Sequence, residues 1–295
     1  MNSRVQPLIW AMAGAATVSL AALGWLGREL FGNASSRADA RPSLLDLLED
    51  VGRPGGSSSS PPASPRRAAP LPPDPLRWSS PLAQSCPASD PQLSQRLSVA
   101  LANLPSLRQR VPIDPTNFGN RYRQDAFGNP VDPTPRVVVL HETVYSLGSA
   151  LNTFKTPHPR DEDQVSYHTL VGQRGEIVEA VPPEQRAFGA GNSAFNGQWV
   201  VTNPSVGGSI NNFALHLSLE TPADGEDQDP AHSGYTQAQY DAAALVVADW
   251  MRRFNISPQA ITTHRHVDLG GERGDPRSFD WRELESRLAA LGLLC

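Results

Sequence analysis

Two apolar runs in this chain end on a histidine, although they lie far apart in the sequence. Residues 136–140 lead into His141, and residues 260–263 lead into His264. Asp275 follows shortly afterwards and opens a turn through a proline. A site assembled from strand ends and a loop is typical of an active site carried on a rigid scaffold. Two imidazoles and a carboxylate with one open position are a ligand set of catalytic zinc, so the pattern indicates a zinc hydrolase.

Strand and helix patterns alternate through the C-terminal half of the chain. Thr236 and Gln239 form a capping box at the start of the longest helix pattern. Interleaving of the two element types predicts an α/β fold with a central mixed β-sheet flanked by helices. The predicted strands are 136–141, 165–171, 176–181, 213–219 and 260–264, and the predicted helices are 146–154, 236–254 and 281–291.

The N-terminal segment has the pattern of a membrane anchor or a signal peptide, and we assign residues 1–30 to it. Arg4 precedes an uncharged stretch over residues 7–27, which as a helix is long enough to cross a bilayer. An uncleaved anchor is favoured because the apolar centre of a cleaved signal is usually shorter. Residues 38–40 (Ala-Asp-Ala) leave cleavage open as the alternative. Either way the bulk of the chain is expected outside the cytoplasm, in the periplasm or cell envelope, with residues 7–27 in the inner membrane.

Composition changes sharply after this segment. Residues 31–80 are rich in proline, serine and glycine, which predicts a disordered, flexible tether. Residues 81–135 are predicted to form a helical and loop extension, and residues 136–295 the zinc-binding domain. The chain carries 25 Lys and Arg against 30 Asp and Glu, a net charge of −5. Because the positive charges are scattered, nucleic acid is not expected as a partner.

The chain has two cysteines, Cys86 and Cys295. An exported protein sits in an oxidising compartment, where disulfides form and persist. We therefore favour a disulfide that ties the start of the folded region to the last residue. Two unrelated thiols are the alternative.

Residues 137–143 resemble the first metal-ligand strand of the zinc-dependent type 2 N-acetylmuramoyl-L-alanine amidases, which share their fold with the peptidoglycan recognition proteins. Residues 262–268 are similar to the second ligand motif of that family, and Asp275 with its proline is similar to the third. The resemblance implies Zn²⁺ held by His141, His264 and Asp275, in an enzyme whose partner is peptidoglycan or a muropeptide. It also implies hydrolysis of the amide between N-acetylmuramic acid and L-alanine.

The same resemblance supplies a candidate for the catalytic group beside the metal. One branch of the family uses a glutamate where this chain has Ser218. The other branch uses a tyrosine directly before a histidine, and this chain has Tyr167 followed by His168. Tyr167 is therefore predicted to position the attacking water or to donate a hydrogen bond to the oxyanion. A tyrosine of the core is the alternative. His168 is predicted to be structural.

Four further residues near these motifs need separate interpretation. Arg273 occupies the place of a lysine common in bacterial members, and it keeps the positive charge but cannot donate a proton. Glu220, on the same face as Ser218, is the reserve candidate for the general acid. Glu142 directly follows a ligand and is expected to face away from it. His266 takes the place of the family's usual aspartate and is predicted to lie outside the ligand set.

The loop that contacts substrate in the family also differs here. Many members show Ala-Trp-His-Ala-Gly, whereas residues 187–191 read Ala-Phe-Gly-Ala-Gly. Phe188 and Asn212 are the predicted substrate-binding residues. The missing glutamate, lysine and loop histidine leave open a non-catalytic peptidoglycan- or muropeptide-binding module of the same fold. The complete ligand set favours the enzyme, and a zinc hydrolase of another amide is a third possibility.

Overall fold

A mixed six-stranded β-sheet forms the centre of the fold. The computed structural model describes residues 68–74, 78–88, 90–227 and 229–294. Neighbouring strands of the sheet are parallel except for one hairpin pair, β4 and β5, so the predicted mixed sheet is confirmed. In spatial order the strands are β1 (Arg108–Arg110), β5 (Ile177–Glu179), β4 (Thr169–Val171), β9 (Ala214–Leu219), β3 (Val137–Glu142) and β10 (Ile261–Thr263).

Two small antiparallel pairs and the helices complete the architecture. The small pairs are β2 (Phe118–Asn120) with β6 (Gln185–Ala187), and β7 (Val200–Asn203) with β8 (Gly207–Ser209). The helices are α1 (Pro91–Ala102), α2 (Leu104–Leu107), α3 (Leu147–Lys155), α4 (Gln237–Phe254), α5 (His264–Val267) and α6 (Trp281–Ala290). Within the described part of the chain, no helix combines the length and apolar character needed to span a bilayer.

Both faces of the two central strands, β3 and β9, are buried. Because side chains alternate along a strand, one face carries the apolar core residues and the other carries the histidines. Every residue of β3 and β9 is buried. Leu140 and Leu217 pack with α4 and α6 in the main core. The opposite face carries His141, which is in register with Ser218, and also His216. The buried histidines of the two central strands thus share one face of the sheet, and His141 lies near the carboxyl end of its strand, where sites of α/β proteins usually form.

Helix α4 begins as its sequence pattern predicts. The Thr236 hydroxyl accepts from the backbone N–H of Gln239, and the Gln239 side chain accepts from the backbone N–H of Thr236. The helix ends at Asn255, whose φ of 54° closes it in the left-handed region. Between these ends it buries a face that includes Trp250, which is 1% exposed. The amphipathic pattern of the sequence therefore corresponds to the buried face of the helix.

Substitution of Thr236 by alanine is expected to lower the free energy of unfolding by about 1 kcal/mol, because it removes the N-cap acceptor of α4. The same hydroxyl donates to the Gln173 carbonyl at 2.7 Å, so the loss should lie toward the upper end of the N-cap range. Thr236→Ser keeps both bonds and serves as the matched control. Chemical unfolding of the three proteins measures the difference. Equal stability of the alanine and serine variants would contradict the assignment.

Residues ahead of β3 belong to the core and do not form a separate extension. Leu82, Leu97 and Leu104 are buried in the main cluster with α4 and α6. Within the predicted helical and loop extension over residues 81–135, the chain also forms the edge strand β1 and the small strand β2. These strands are three residues long, too short to give a periodic signal in the sequence.

Several sequence-based predictions fall outside the described residues. The predicted anchor over residues 7–27 and the tether up to residue 67 lie there. Cys86 is disulfide-bonded. Cys295, the chain's other cysteine and its predicted partner, lies outside the described residues.

Candidate metal centre

His141, His264 and Asp275 converge at one point above the sheet. His141 lies near the end of β3, and His264 follows β10, the parallel neighbour of β3. The loop between α5 and α6 brings in Asp275. Nδ1 of His141 lies 3.3 Å from Oδ2 of Asp275, and Nδ1 of His264 lies 3.0 Å from Oδ1. One ligand atom from each residue fits within 4.8 Å of the others, so the three predicted ligands share one site.

A buried carboxylate on the other side of β3 holds the loop that carries Asp275. Glu142 faces away from His141, as expected from strand alternation, and it is 7% exposed. Its carboxylate accepts from the backbone N–H and the Nε–H of Arg277. It also contacts His232 Nε2 at 3.0 Å and the Tyr235 hydroxyl. Sequence analysis did not find this role, although an acidic residue inside an apolar strand was a signal for it.

His266 lies outside the ligand set because the chain turns into α5 at His264. The expected strand over residues 260–264 ends one residue early. In a helix, positions i and i+2 point in different directions. His266 therefore leaves the site, stacks on Trp78 with 4.5 Å between ring centroids, and meets the Thr263 hydroxyl at 2.6 Å.

The protonation states at neutral pH suit a cation. Burial lowers the pKa of His141 to about 4, with smaller contributions from His264 and Arg273, and Asp275 only partly opposes this. Burial alone would raise the pKa of Asp275. Hydrogen bonds and charge interactions with the two histidines outweigh burial and hold the pKa of that carboxyl well below its usual range. A neutral imidazole and an ionised carboxylate are the forms that bind metal.

One buried nitrogen marks where a metal fits. His141 is fully buried, and its Nδ1, although 3.3 Å from Oδ2 of Asp275, forms no hydrogen bond of regular geometry with any described residue. The other ring nitrogen, Nε2, lies 3.0 Å from Nδ1 of His216. An unpartnered buried polar atom is costly. A divalent cation shared with His264 and Asp275 would satisfy it, and a set of two imidazoles and one carboxylate suits zinc.

A cleft of about 1220 Å³ opens over these ligands. Tyr167 lines it and stacks on His141, with 4.5 Å between ring centroids. Burial raises the pKa of the Tyr167 phenol above its usual value, so the hydroxyl stays protonated and can act as a donor. Phe188 and the exposed Arg273 also line the cleft. Three of the site residues predicted from the sequence, Tyr167, Phe188 and Arg273, thus line the cleft over the metal ligands.

Two other predicted site residues do not reach the site. The polar atoms of their side chains are already hydrogen-bonded to main-chain groups. The carboxylate of Glu220 accepts from the N–H of Leu147 at the start of α3 and from the N–H of Gln173, each at 2.8 Å. Glu220 is therefore not the general acid. The Asn212 side chain is fully buried and forms two hydrogen bonds with the main chain of Tyr122. It cannot contact substrate, and neighbouring Asn211 lines the cleft in its place.

Arg186 is a cleft residue that the sequence analysis missed. Its guanidinium lies over the rings of Tyr122 and Phe188, at 4.7 and 4.9 Å from their centroids. One Nη donates to the Thr202 hydroxyl at 2.8 Å, whereas Nε is buried with no hydrogen-bond partner among the described residues. One sign in the sequence indicated that this residue lines the cleft, namely its position one residue before the Ala-Phe-Gly-Ala-Gly segment. The residue puts a fixed positive charge on the cleft wall.

Acid is expected to destabilise the metal-free protein between about pH 6.5 and pH 4. Burial lowers the pKa of His141 to about 4, and it holds the pKa values of His168 and His216 well below their ordinary value. An unfolded histidine titrates near pH 6.5, so below that pH the unfolded state binds more protons. The free energy of unfolding should therefore fall as pH drops, by up to about 1 kcal/mol per pH unit for each buried ring.

Urea unfolding in a chelator at pH 7.5, 6 and 5, followed by tryptophan fluorescence, measures this dependence. The stability contributed by His141 should be complete above pH 6.5 and lost once the pH has passed its folded pKa. A stability that stays constant from pH 7.5 to 5 would contradict neutral burial of these rings.

Comparison with known proteins places this site in a family. The profile of the N-acetylmuramoyl-L-alanine amidase family matches residues 131–278, half of the chain, and includes all three ligands. The chain is 28% identical over 171 residues to the 1,6-anhydro-N-acetylmuramyl-L-alanine amidase AmpD of Citrobacter freundii, across 58% of this chain and 73% of that protein. It is 26% identical over 161 residues to the N-acetylmuramoyl-L-alanine amidase AmiD of Escherichia coli K12, across 52% of each.

Among solved structures, a selenomethionine derivative of AmpD superposes with a TM-score of 0.46 and 24% identity, over 62% of this chain and 94% of that chain. The family match covers the ligand strands, the cleft and the loop that carries Asp275. The chain therefore belongs to the type 2 N-acetylmuramoyl-L-alanine amidase family, whose members are enzymes that hydrolyse an amide bond.

Proposed function

We propose that this protein is a zinc-dependent amidase that cleaves the bond between N-acetylmuramic acid and L-alanine, in peptidoglycan or in muropeptides released from it. The observation that carries the proposal is the convergence of His141, His264 and Asp275 within 4.8 Å under an open cleft. Among the residues that the structure describes, the ligand set has three members, which leaves coordination positions free for water or substrate, as in catalytic zinc sites.

Hydrolysis of an unstrained amide needs an activated water and a stabilised oxyanion. A zinc ion in this site supplies a Lewis acid that polarises a carbonyl and acidifies water. The chain's own residues supply the rest. Tyr167 presents a protonated phenol beside His141, placed to donate a hydrogen bond to the developing oxyanion. Arg273 adds a positive charge at the rim of the cleft.

The cleft walls suit a ligand that is part sugar and part charged peptide. Phe188 offers an apolar ring for a sugar or an alkyl side chain, and the arginines can hold peptide carboxylates in bidentate fashion. Acidic residues on the wall can receive a cationic side chain of the stem. The arginines of the cleft lining that can take this role are Arg186, Arg265 and Arg273, and the acids from one loop are Asp161, Glu162 and Asp163.

The names of the relatives support the substrate class. AmpD of Citrobacter freundii is named for its action on 1,6-anhydro-N-acetylmuramyl-L-alanine. We extend that chemistry to this chain as a proposal. We also propose that the enzyme works outside the cytoplasm and is held at the inner membrane by residues 7–27, because an uncharged stretch of that length follows Arg4.

Cleavage of a defined muropeptide and of intact sacculi by the full-length protein tests the proposal. With zinc, the expected product is a stem peptide with a free L-alanine amino group, identified by mass. Chelation should stop the release, and added zinc should restore it. If the protein carries zinc and still cuts neither substrate, the proposed activity is wrong.

Binding of muropeptide without cleavage would instead identify the non-catalytic module of the same fold. Fractionation of the producing cell addresses the location. The full-length protein should sediment with membranes and be digested by protease added from outside the inner membrane. Recovery from the cytosol would overturn that part of the proposal.

A further inference from the structure

A row of three buried imidazoles lies behind the metal centre. Nε2 of His141 is 3.0 Å from Nδ1 of His216. The His216 ring in turn stacks on His168, with 5.6 Å between centroids and 12° between planes. All three side chains are fully buried. His216 is not a metal ligand and does not line the cleft, so neither the ligand set nor substrate contact explains a polar ring at this position.

The main chain determines the tautomer of His168. Its Nδ1 accepts from the backbone N–H of His216 at 2.9 Å, so Nδ1 carries no proton. Its Nε2 must then carry the proton and lies 3.1 Å from the carbonyl of Gln185, which can accept it. His168 therefore fixes the strand at the residue that bears the second ring. This agrees with the structural role predicted for it.

The proposed metal site determines which ring nitrogen of His216 carries the proton. Nδ1 of His141 faces Asp275 and must keep its lone pair to bind a cation. The proton of a neutral His141 then sits on Nε2, which has Nδ1 of His216 at hydrogen-bond distance. His216 must accept through Nδ1 and carry its own proton on Nε2. Metal-bound histidines almost always donate their second N–H in this way, and the acceptor sets the ring's tautomer and orientation.

A glycine provides the space for this ring. A Cβ at position 189 would lie 2.5 Å from both Cγ and Nδ1 of His216. Any side chain at this position would therefore force the His216 ring or the loop to shift. Gly189 is also the position where the family motif carries a histidine. In this chain the residue at that position has no side chain, and the His216 ring of β9 packs directly against the loop.

We infer that His216 is a positioning residue of the metal centre, which accepts the Nε2–H of His141 and so directs the Nδ1 lone pair of that ligand toward the cation. The inference rests on the proposed zinc site and goes beyond it, because it assigns metal affinity to a residue that touches neither metal nor substrate. Loss of such an acceptor typically costs about 10- to 100-fold in metal affinity.

Zinc affinity of the full-length protein, measured by competition with a chromophoric chelator, tests the inference. His216→Leu fills the space without an acceptor and should bind zinc about 10- to 100-fold more weakly than the wild type. His216→Asn places an amide oxygen close to the position of Nδ1 and should recover most of the affinity. Equal weakening in both variants would indicate a packing role only and would overturn the inference, as would unchanged affinity in a folded leucine variant.

The ¹⁵N spectrum of the histidine rings provides a readout that needs no variant. In zinc-loaded wild type, His216 should carry its proton on Nε2 and show an unprotonated, hydrogen-bonded Nδ1. A proton on Nδ1 of His216 would overturn the inference even if the leucine variant fails to fold. If the wild type binds no zinc at all, the proposed function fails first, so the two failures are distinguishable.

The glycine pair in the same loop gives a second, independent comparison. Gly189→Ala should displace the His216 ring and weaken zinc binding in the same direction as His216→Leu. Gly191→Ala is the matched control, because a Cβ there meets nothing within 4 Å. Equal zinc affinity of the two alanine variants would count against the close approach of ring and loop.

Discussion

Replacement of His264 by alanine is expected to remove stoichiometric zinc and to lower stem-peptide release by roughly a thousandfold or more. His264 supplies one of only two imidazoles in the ligand set, and its Nδ1 lies 3.0 Å from the Asp275 carboxylate. A metal Lewis acid contributes several kcal/mol to the stabilisation of the transition state, and each factor of ten corresponds to about 1.4 kcal/mol. Metal analysis and a muropeptide cleavage assay on the same preparation measure both effects.

His266→Ala is the matched control for this substitution. The two histidines are two residues apart in α5, but His266 stacks on Trp78, away from the site. The control should keep its zinc and its activity. If His264→Ala retains one zinc per chain, or if the two variants lose activity equally, the ligand assignment is wrong.

Replacement of Tyr167 by phenylalanine is expected to lower kcat by about 10²- to 10³-fold while zinc content stays at the wild-type level. Removal of one preorganised oxyanion donor typically costs this much. The phenylalanine ring preserves the stack on His141 and loses only the hydroxyl. Since burial raises the pKa of the phenol, the wild-type group acts as a hydrogen-bond donor and not as a base. KM should change far less than kcat, because the effect lies in the transition state.

Tyr145→Phe provides the comparison, since Tyr145 is 51% exposed and lies in the loop after β3. It should behave as the wild type in kcat and in zinc content. If kcat is unchanged in Tyr167→Phe, the hydroxyl has no catalytic role and Tyr167 only packs against its neighbours. Loss of zinc in that variant would show that the hydroxyl organises the ligands and does not act on substrate.

The ligand set was predictable because the relevant signals are local. Each histidine follows a short segment rich in β-branched residues, which favours a buried strand, and the family motifs occur in order along the chain. Parallel pairing of β3 with β10 then brings His141 and His264 together without further information. Tyr167 was indicated by the family resemblance, through the Tyr-His pair directly before β4, and its catalytic role stays a prediction.

The reserve acid and one substrate residue were wrong for a shared physical reason. Glu220 and Asn212 lie next to or at the ends of a site strand, but neighbouring main-chain N–H and C=O groups occupy their polar atoms. Sequence spacing gives the face of a strand, but it does not show which backbone groups need a partner there. Arg186 was missed because β6, the strand that carries its side chain to the cleft, is only three residues long and gives no periodic signal in the sequence.

The sequence by itself determined the α/β architecture, the three ligands and their order, because strand alternation and buried apolar runs depend on residues close together in the chain. Only the tertiary structure decided that Glu142 anchors the third ligand through Arg277, that His266 leaves the site, and that His216 fills the space above Gly189. These contacts join residues distant in sequence. They depend on the satisfaction of buried polar groups in three dimensions, and no periodic pattern in the sequence records that requirement.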